Sequence, residues 1–423
     1  MLAPHPQRVA LHNEVHARPY ERMAAPLQLS HLALLAPDAD AARLHLEGLL
    51  RARHLPLPAA DASHLSIDLG GLQLRWEKHT EFHTYTFWRT ARETVQSFDG
   101  DALRTVPQDW LAAMPGAWLV GLHLLVTDAP APDGEALART LLDENSLVGG
   151  SVTDAQAQIY TDFRLDAEGF ARMVVCVGAM NPRRLGRTVQ RLLEIETYRM
   201  MALLGLPVAR EVAATLHDAE RELAHVAGQV RSAERAEEPE LLRRLTQLAG
   251  RVESLYANTH ARFSASSAYF ELVQRRLAEL REQRLAGLQM LGEFLDRRLG
   301  PAVQTCAWAA RRQQSLSERI SRISNLLRTR VEIEQQQSSQ DLLDAMNRRQ
   351  QAQLLLQGAV EGLSVAAVTY YGAGLVGTLA KGAKALGVPV SPDVAMALSV
   401  PFIAVAVWWG VRRMHRRVRR VAL

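Results

Sequence analysis

The sequence predicts an α/β domain with a mixed sheet, then a bundle or coiled coil of long helices, then a two-helix transmembrane hairpin at the C-terminal end. Three observations carry that prediction. Short strand-like runs alternate with amphipathic stretches up to about residue 178. From Val208 the chain is rich in Arg, Glu, Leu and Ala at helical spacing, with no strand signal after Gly178. Near the end, two charge-free apolar runs of 18 residues each, 363–380 and 394–411, flank a short polar stretch. The expected regions are 1–206, 207–353 and 354–423.

In the first region, residues 29–36 read as a strand and 38–54 as an amphipathic helix. Residues 64–69, 72–78 and 82–89 are short, rich in aromatic and β-branched residues, and separated by Gly70-Gly71 or polar turns, as strands are. Residues 107–114 suit a short helix opening on proline. The apolar run 118–127 suits a central strand covered on both faces. Residues 156–165 and 171–178 are expected to form a hairpin about 166–169. A long helix should start with Asn181 as its cap and Pro182 as its first residue, and run to Gly205. Leu147-Val148-Gly149-Gly150-Ser151 reads as a Gly-Gly turn and lacks the lysine and glycine spacing of a phosphate loop.

In the second region, Phe270, Val273, Leu277, Leu280, Leu288, Leu291 and Leu295 trace one stripe with a single gap. Pro239 and Pro301 should break the region into about three long helices. Their arginines read as a solvated face.

The third region argues for a membrane. A backbone in hydrocarbon must satisfy its own polar groups, so a span is a helix or part of a closed barrel. These runs are too long and too continuously apolar for barrel strands. Arg348 and Arg349 precede the first run, and six arginines lie between Arg412 and Arg420. The positive-inside bias then places both flanks, and both termini, in the cytoplasm, with the loop 381–393 outside. Trp408 and Trp409 lie where indole rings favour headgroups. Pro401 should kink the second span. A first span starting near Leu354 would bury Glu361, and one starting near Leu363 leaves it at the interface, the less costly choice. Glu361, Tyr370, Tyr371 and Gly372 are the candidate pore or span residues.

The formal charge is only +4, with the basic tail supplying more than that, so nothing suggests nucleic-acid binding. Two cysteines, Cys176 and Cys306, are too few for a disulfide framework or a zinc ribbon. No apolar core of a signal peptide appears in the first twenty residues. The expected partners are the lipid bilayer and other copies of the chain, met through the long helices.

Two H-x-E-x-H triplets are the sharpest chemical signal: His12, Glu14 and His16, and His79, Glu81 and His83. With 14 histidines in the chain, well under one such triplet is expected by chance. On an extended strand i, i+2 and i+4 share one face, which would aim two imidazoles and a carboxylate together at a divalent metal ion. The alternative is a polar sheet face beside Trp76, Tyr85 and Trp88, since side chains two apart on a strand rarely close a metal site alone. Arg18, held extended by Pro19, could face a carboxylate or phosphate, or serve as a structural clasp.

Four segments carry a resemblance to a family. They are His12-Asn13-Glu14-Val15-His16-Ala17-Arg18-Pro19, Trp76-Glu77-Lys78-His79-Thr80-Glu81-Phe82, Asn181-Pro182-Arg183-Arg184-Leu185-Gly186-Arg187, and Glu361-Gly362-Leu363-Ser364-Val365 leading to Tyr370-Tyr371. With these the chain resembles the bacterial domain of unknown function 3422 proteins over nearly its whole length. The resemblance implies a bacterial membrane-anchored protein and transfers no catalytic residues. The overall layout is also similar to CorA-type divalent-cation channels. Their Tyr-Gly-Met-Asn motif is here Tyr371-Gly372-Ala373-Gly374, without the ion-dehydrating asparagine.

No motif names a reaction. The expectation is a non-enzymatic binding or regulatory module of unknown ligand on the cytoplasmic face of the inner membrane. The alternatives are a CorA-like metal-ion transporter and a metal-dependent enzyme built on the two triplets.

Overall fold

The computed structural model describes residues 5–14, 19–35, 38–91, 97–98, 102–129, 133–178, 180–234, 236–386, 389 and 391–421. Helix α1 (Arg8–Glu14) precedes strand β1 (Leu27–Leu35), helix α2 (Ala39–Ala52) and strands β2 (His64–Asp68), β3 (Gln73–Lys78) and β4 (Phe82–Thr90). Next come α3 (Gln108–Ala112), β5 (Ala117–Thr127), α4 (Asp133–Leu141), β6 (Val148–Val152), β7 (Ala157–Leu165) and β8 (Ala171–Val177). The remainder is α5 (Pro182–Leu203), α6 (Gly205–Ser232), α7 (Glu238–Leu280), the two-residue β9 (Gln283–Arg284), α8 (Leu291–Ala385) and α9 (Pro392–Val421). The chain divides into two compact units, Met1–Ser324 and Asn325–Leu423.

The first unit is built on a nine-stranded mixed sheet in the order β2-β3-β4-β1-β5-β8-β7-β6-β9. β5 pairs antiparallel with β1 and parallel with β8, so the long apolar run is indeed a central strand. Strand alternation sends one set of side chains to each face. Leu32, Leu34, Leu74, Trp76, Tyr85 and Phe87 pack with Leu46, Leu49 and Leu50 of α2. Leu125, Val174 and Cys176 on the same face pack with Ala138 and Leu142 in the α4 region. The opposite face meets α5 through Leu122, Leu124, Val126 and Val175, which bury against Leu185, Val189 and Leu192. α5 in turn packs on α7.

The caps explain where helices begin. Asp38 accepts the amides of Asp40 and Ala41, and Asn181 accepts that of Arg184 ahead of Pro182. Pro239 sits in the first turn of α7, as expected. Pro301, by contrast, lies inside α8 and ends nothing. The break falls instead at Arg281, which is left-handed (φ 50°) and closes α7. β9 follows it and joins the sheet edge beside β6, so strand pairing does resume after Gly178. The break is the gap in the leucine stripe: Val273, Leu277 and Leu280 precede it, Leu291 and Leu295 follow it, and all five share one core.

Residues 148–152 form β6 rather than a Gly-Gly turn. A Cβ on Gly149 would lie 2.8 Å from the Tyr160 ring, and one on Gly150 would overlap Glu282. Glycine here permits close approach, as it often does within a strand.

In the second unit, the C-terminal part of α8 and α9 are each long and apolar enough to cross a membrane. Thr369, Ala373, Gly377 and Ala380 of α8 are buried at helical spacing. A Cβ on Gly372 would meet Ile403, and one on Gly377 would meet Met396, so small residues let the two helices approach. α8 continues through Lys381 and Lys384, which shortens the expected loop of 381–393 to the stretch between Ala385 and Pro392. Arg412 and Arg413 stack over Trp408 and Trp409, at 4.7 and 5.0 Å from the ring centres.

Candidate binding cavity

The first unit contains a cavity of about 310 Å³ between the sheet and α5. Its floor follows from alternation on three neighbouring strands. Thr84 and Thr86 of β4, His31 of β1, and Arg75 and Glu77 of β3 face α5, with Phe82 and Trp88 at the margins. Gln190, Glu194 and Thr197 of α5 form the roof, and Arg276 of α7 closes one side. The segment from Tyr20 to Met23 makes another wall. It lies against α5 because residue 186 is glycine: a Cβ there would overlap the Glu21 carbonyl. The Met23 amide donates to the Pro182 carbonyl at 3.1 Å, and Arg187 stacks over Tyr20.

A chain of hydrogen bonds joins floor to roof. The Thr197 hydroxyl donates to the Leu193 carbonyl at 2.8 Å, so its oxygen accepts from His31 Nε2 at 3.0 Å. His31 Nδ1 then accepts from the Thr86 hydroxyl at 2.8 Å. Burial pushes the His31 pKa down to about 4, against the opposing pull of the Glu77 carboxylate. The imidazole is therefore neutral near pH 7 and acts as a fixed polar strut.

Both guanidiniums are held in ion pairs. Arg75 donates to the Pro19 carbonyl at 2.9 Å and to Glu77 at 2.8 Å. Arg276 bonds Glu194 through Nε and Glu279 through Nη1, the latter at 3.0 Å. Among the side chains that line the cavity, two buried polar atoms have no bonded partner among the described residues. The Thr84 hydroxyl is one, on a side chain only 4% exposed, and Gln190 Oε1 is the other.

The structure distributes the predicted site residues differently. His12 and Glu14 lie in α1, not on a strand. Pro6 and the His5 ring, which accepts the Gln7 amide, start that helix. On a helix, residues two apart point to different sides. His16 and Arg18 lie outside the described residues, as does the Glu14 side chain. In the second triplet, Thr80 and Glu81 form the tip of the β3–β4 hairpin. Lys78 pairs with His83, and the His79 amide bonds the Phe82 carbonyl. His79 therefore shares Phe82's face, stacked on it at 4.3 Å, and reaches the cavity. His83 takes the other face, buried beside Trp76, where burial lowers its pKa. Glu81 binds Arg262 of α7 at 3.2 Å. Among the described residues, no cluster of three His, Cys, Asp or Glu side chains is placed to hold a metal ion.

In the second unit Glu361 is half-buried, whereas Tyr370 and Tyr371 are exposed and meet edge to face at 5.7 Å. Sequence reading missed His31, Thr84, Gln190, Glu194 and Arg276. The signal for the first was a lone histidine within the apolar run 27–35. For Thr84 it was the alternation Phe82, Thr84, Thr86, Trp88, which marks a polar face opposite an aromatic one.

Three of the four segments that carry the family resemblance converge here. Pro19 accepts Arg75, residues 76–82 supply Glu77, His79 and Phe82, and residues 181–187 supply Gly186. No match to the chain is found among curated proteins or among solved structures. A family model described as protein of unknown function (DUF3422) matches residues 3–418, and the chain belongs to that family.

Proposed function

We propose that the protein is a membrane-anchored binding module whose first unit holds a small polar solute in the cavity beneath α5. The observation that carries this reading is the pair of unpartnered atoms, the Thr84 hydroxyl and Gln190 Oε1, inside a polar enclosure. Leaving a buried polar group unsatisfied costs about 1–3 kcal/mol, and a bound solute would remove that cost. The volume lies at the lower end of the range for small-molecule sites.

The anchor is the α8–α9 hairpin. Leu363, Tyr370, Leu375, Phe402, Val405 and Trp409 are each more than half exposed, and so large an apolar surface needs cover. With arginine on both flanks, the hairpin would cross the bacterial inner membrane with both termini in the cytoplasm. Cys176 and Cys306 are buried, so an introduced thiol reports alone. A membrane-impermeant maleimide on intact cells should label Ser391→Cys and spare Ser338→Cys; the reverse pattern would refute the topology.

The binding reading is tested on the full chain purified in lipid nanodiscs. Its small-molecule content, read by mass spectrometry, is compared with that of Thr84→Phe, which adds the bulk of a ring on the cavity floor. A solute retained by the unaltered chain and absent from the variant is expected. Identical contents would refute the cavity as a binding site.

A further inference from the structure

We propose that the cavity's ligand is a small organic ammonium ion, held by the Glu77 carboxylate with Thr84 and Gln190 as hydrogen-bond acceptors. This rests on the binding reading above and specifies its chemistry. The argument is an inventory of donors and acceptors. Both guanidiniums facing the cavity already hold carboxylates: Arg75 holds Glu77, and Arg276 holds Glu194 and Glu279. Both nitrogens of His31 are engaged. Of the atoms left over, one is an amide oxygen, which can only accept, and one is a hydroxyl, which can accept or donate. Gln190 Oε1 is buried without a partner because its amide nitrogen is committed to Glu194 at 2.9 Å. The Thr84 oxygen is likewise buried and unpartnered. Arg75 bonds one oxygen of Glu77, and the second has no bonded partner among the described residues.

Charge points the same way. The lining contains three carboxylates, from Glu21, Glu77 and Glu194, and two guanidiniums. With the His79 imidazole, which also lines the cavity, in its neutral form, the excess is one negative charge in a site where burial keeps His31 neutral. An anion entering here would meet the Gln190 oxygen and an excess of carboxylate, and could gain a guanidinium only by breaking an existing ion pair.

The experiment uses the full chain in nanodiscs and three probes of one carbon skeleton: n-butylammonium, 1-butanol and butyrate. Calorimetry measures each dissociation constant. Butylammonium is expected to bind about tenfold more tightly than the other two. Glu77→Gln should weaken it by about tenfold while leaving the affinity for butanol unchanged, a difference that a misfolded variant cannot produce. A preference for butyrate or butanol, or unchanged butylammonium affinity in Glu77→Gln, would overturn the cation assignment while leaving the cavity a binding site. If none of the three probes binds, the ammonium inference falls. The binding reading falls with it only if Thr84→Phe also retains the same solutes as the unaltered chain.

Discussion

Helix α5 covers both halves of the sheet, and the two halves meet it in unlike ways. Over β5, β8 and β7 the inward residues are Leu122, Leu124, Val126, Val175 and Ile159, and the contact is dry and close-packed. Over β1, β3 and β4 the inward residues include His31, Arg75, Glu77, Thr84 and Thr86, and a cavity remains. One helix on one sheet therefore supplies a stabilising contact and a polar enclosure side by side. The first half follows the ordinary logic of apolar burial. The second spends stability on buried polar groups, as functional sites do.

This contrast can be broken or sharpened by substitution. The largest loss is expected in the dry half. Leu124→Ala, at a side chain 1% exposed, should cost about 2–5 kcal/mol, seen as a lowered thermal midpoint. Next is the pH dependence carried by His31. Its imidazole titrates at about 4 when folded, against 6.5 for the free side chain. Between those values the unfolded chain binds a proton that the folded chain does not. Stability is thus fully present above pH 6.5 and falls as pH drops toward 4, by about 3 kcal/mol for this residue. His31→Gln should flatten that part of the profile. A shallower slope of the same sign should persist, because burial also lowers the pKa of His45 and His83.

A smaller effect is expected at the cavity wall. Gly186→Ala forces residues 20–23 away from α5 and should cost about 1–3 kcal/mol, with solute retention lost. The smallest belongs to Thr84→Val, which replaces an unpartnered hydroxyl with a methyl group. Its thermal midpoint should be unchanged or raised, and only binding should suffer. A midpoint lowered as far as that of Leu124→Ala would mean that the two halves do not differ as described.

Much of the architecture was legible in the chain. Short aromatic and β-branched runs between turns marked β2 to β4, a continuous apolar run marked β5, β1 and the β7–β8 hairpin also read as strands, and the cap at Asn181 placed α5. The failures have local physical causes. Gly149 and Gly150 looked like a turn, but glycine served close approach to Tyr160 and Glu282. Pro301 looked like a stop, but α8 runs through it. The cavity was only half legible. The segment 76–82 stood out for His79 and Glu81, and its hairpin turn sends His79 and His83 to opposite faces. His31, Glu194 and Arg276 lie far apart in sequence and come together only through the β1–β4 pairing and the packing of α5 on α7. No local pattern reports such a meeting.

The most direct test of the contrast is hydrogen–deuterium exchange on the full chain in nanodiscs, with and without a small-molecule filtrate of the source cells. Slowed exchange in residues 19–23, 73–90 and 182–198, with no change in 117–127 and 157–177, is the predicted result. Equal change in the two halves of the sheet, or none in either, would contradict it.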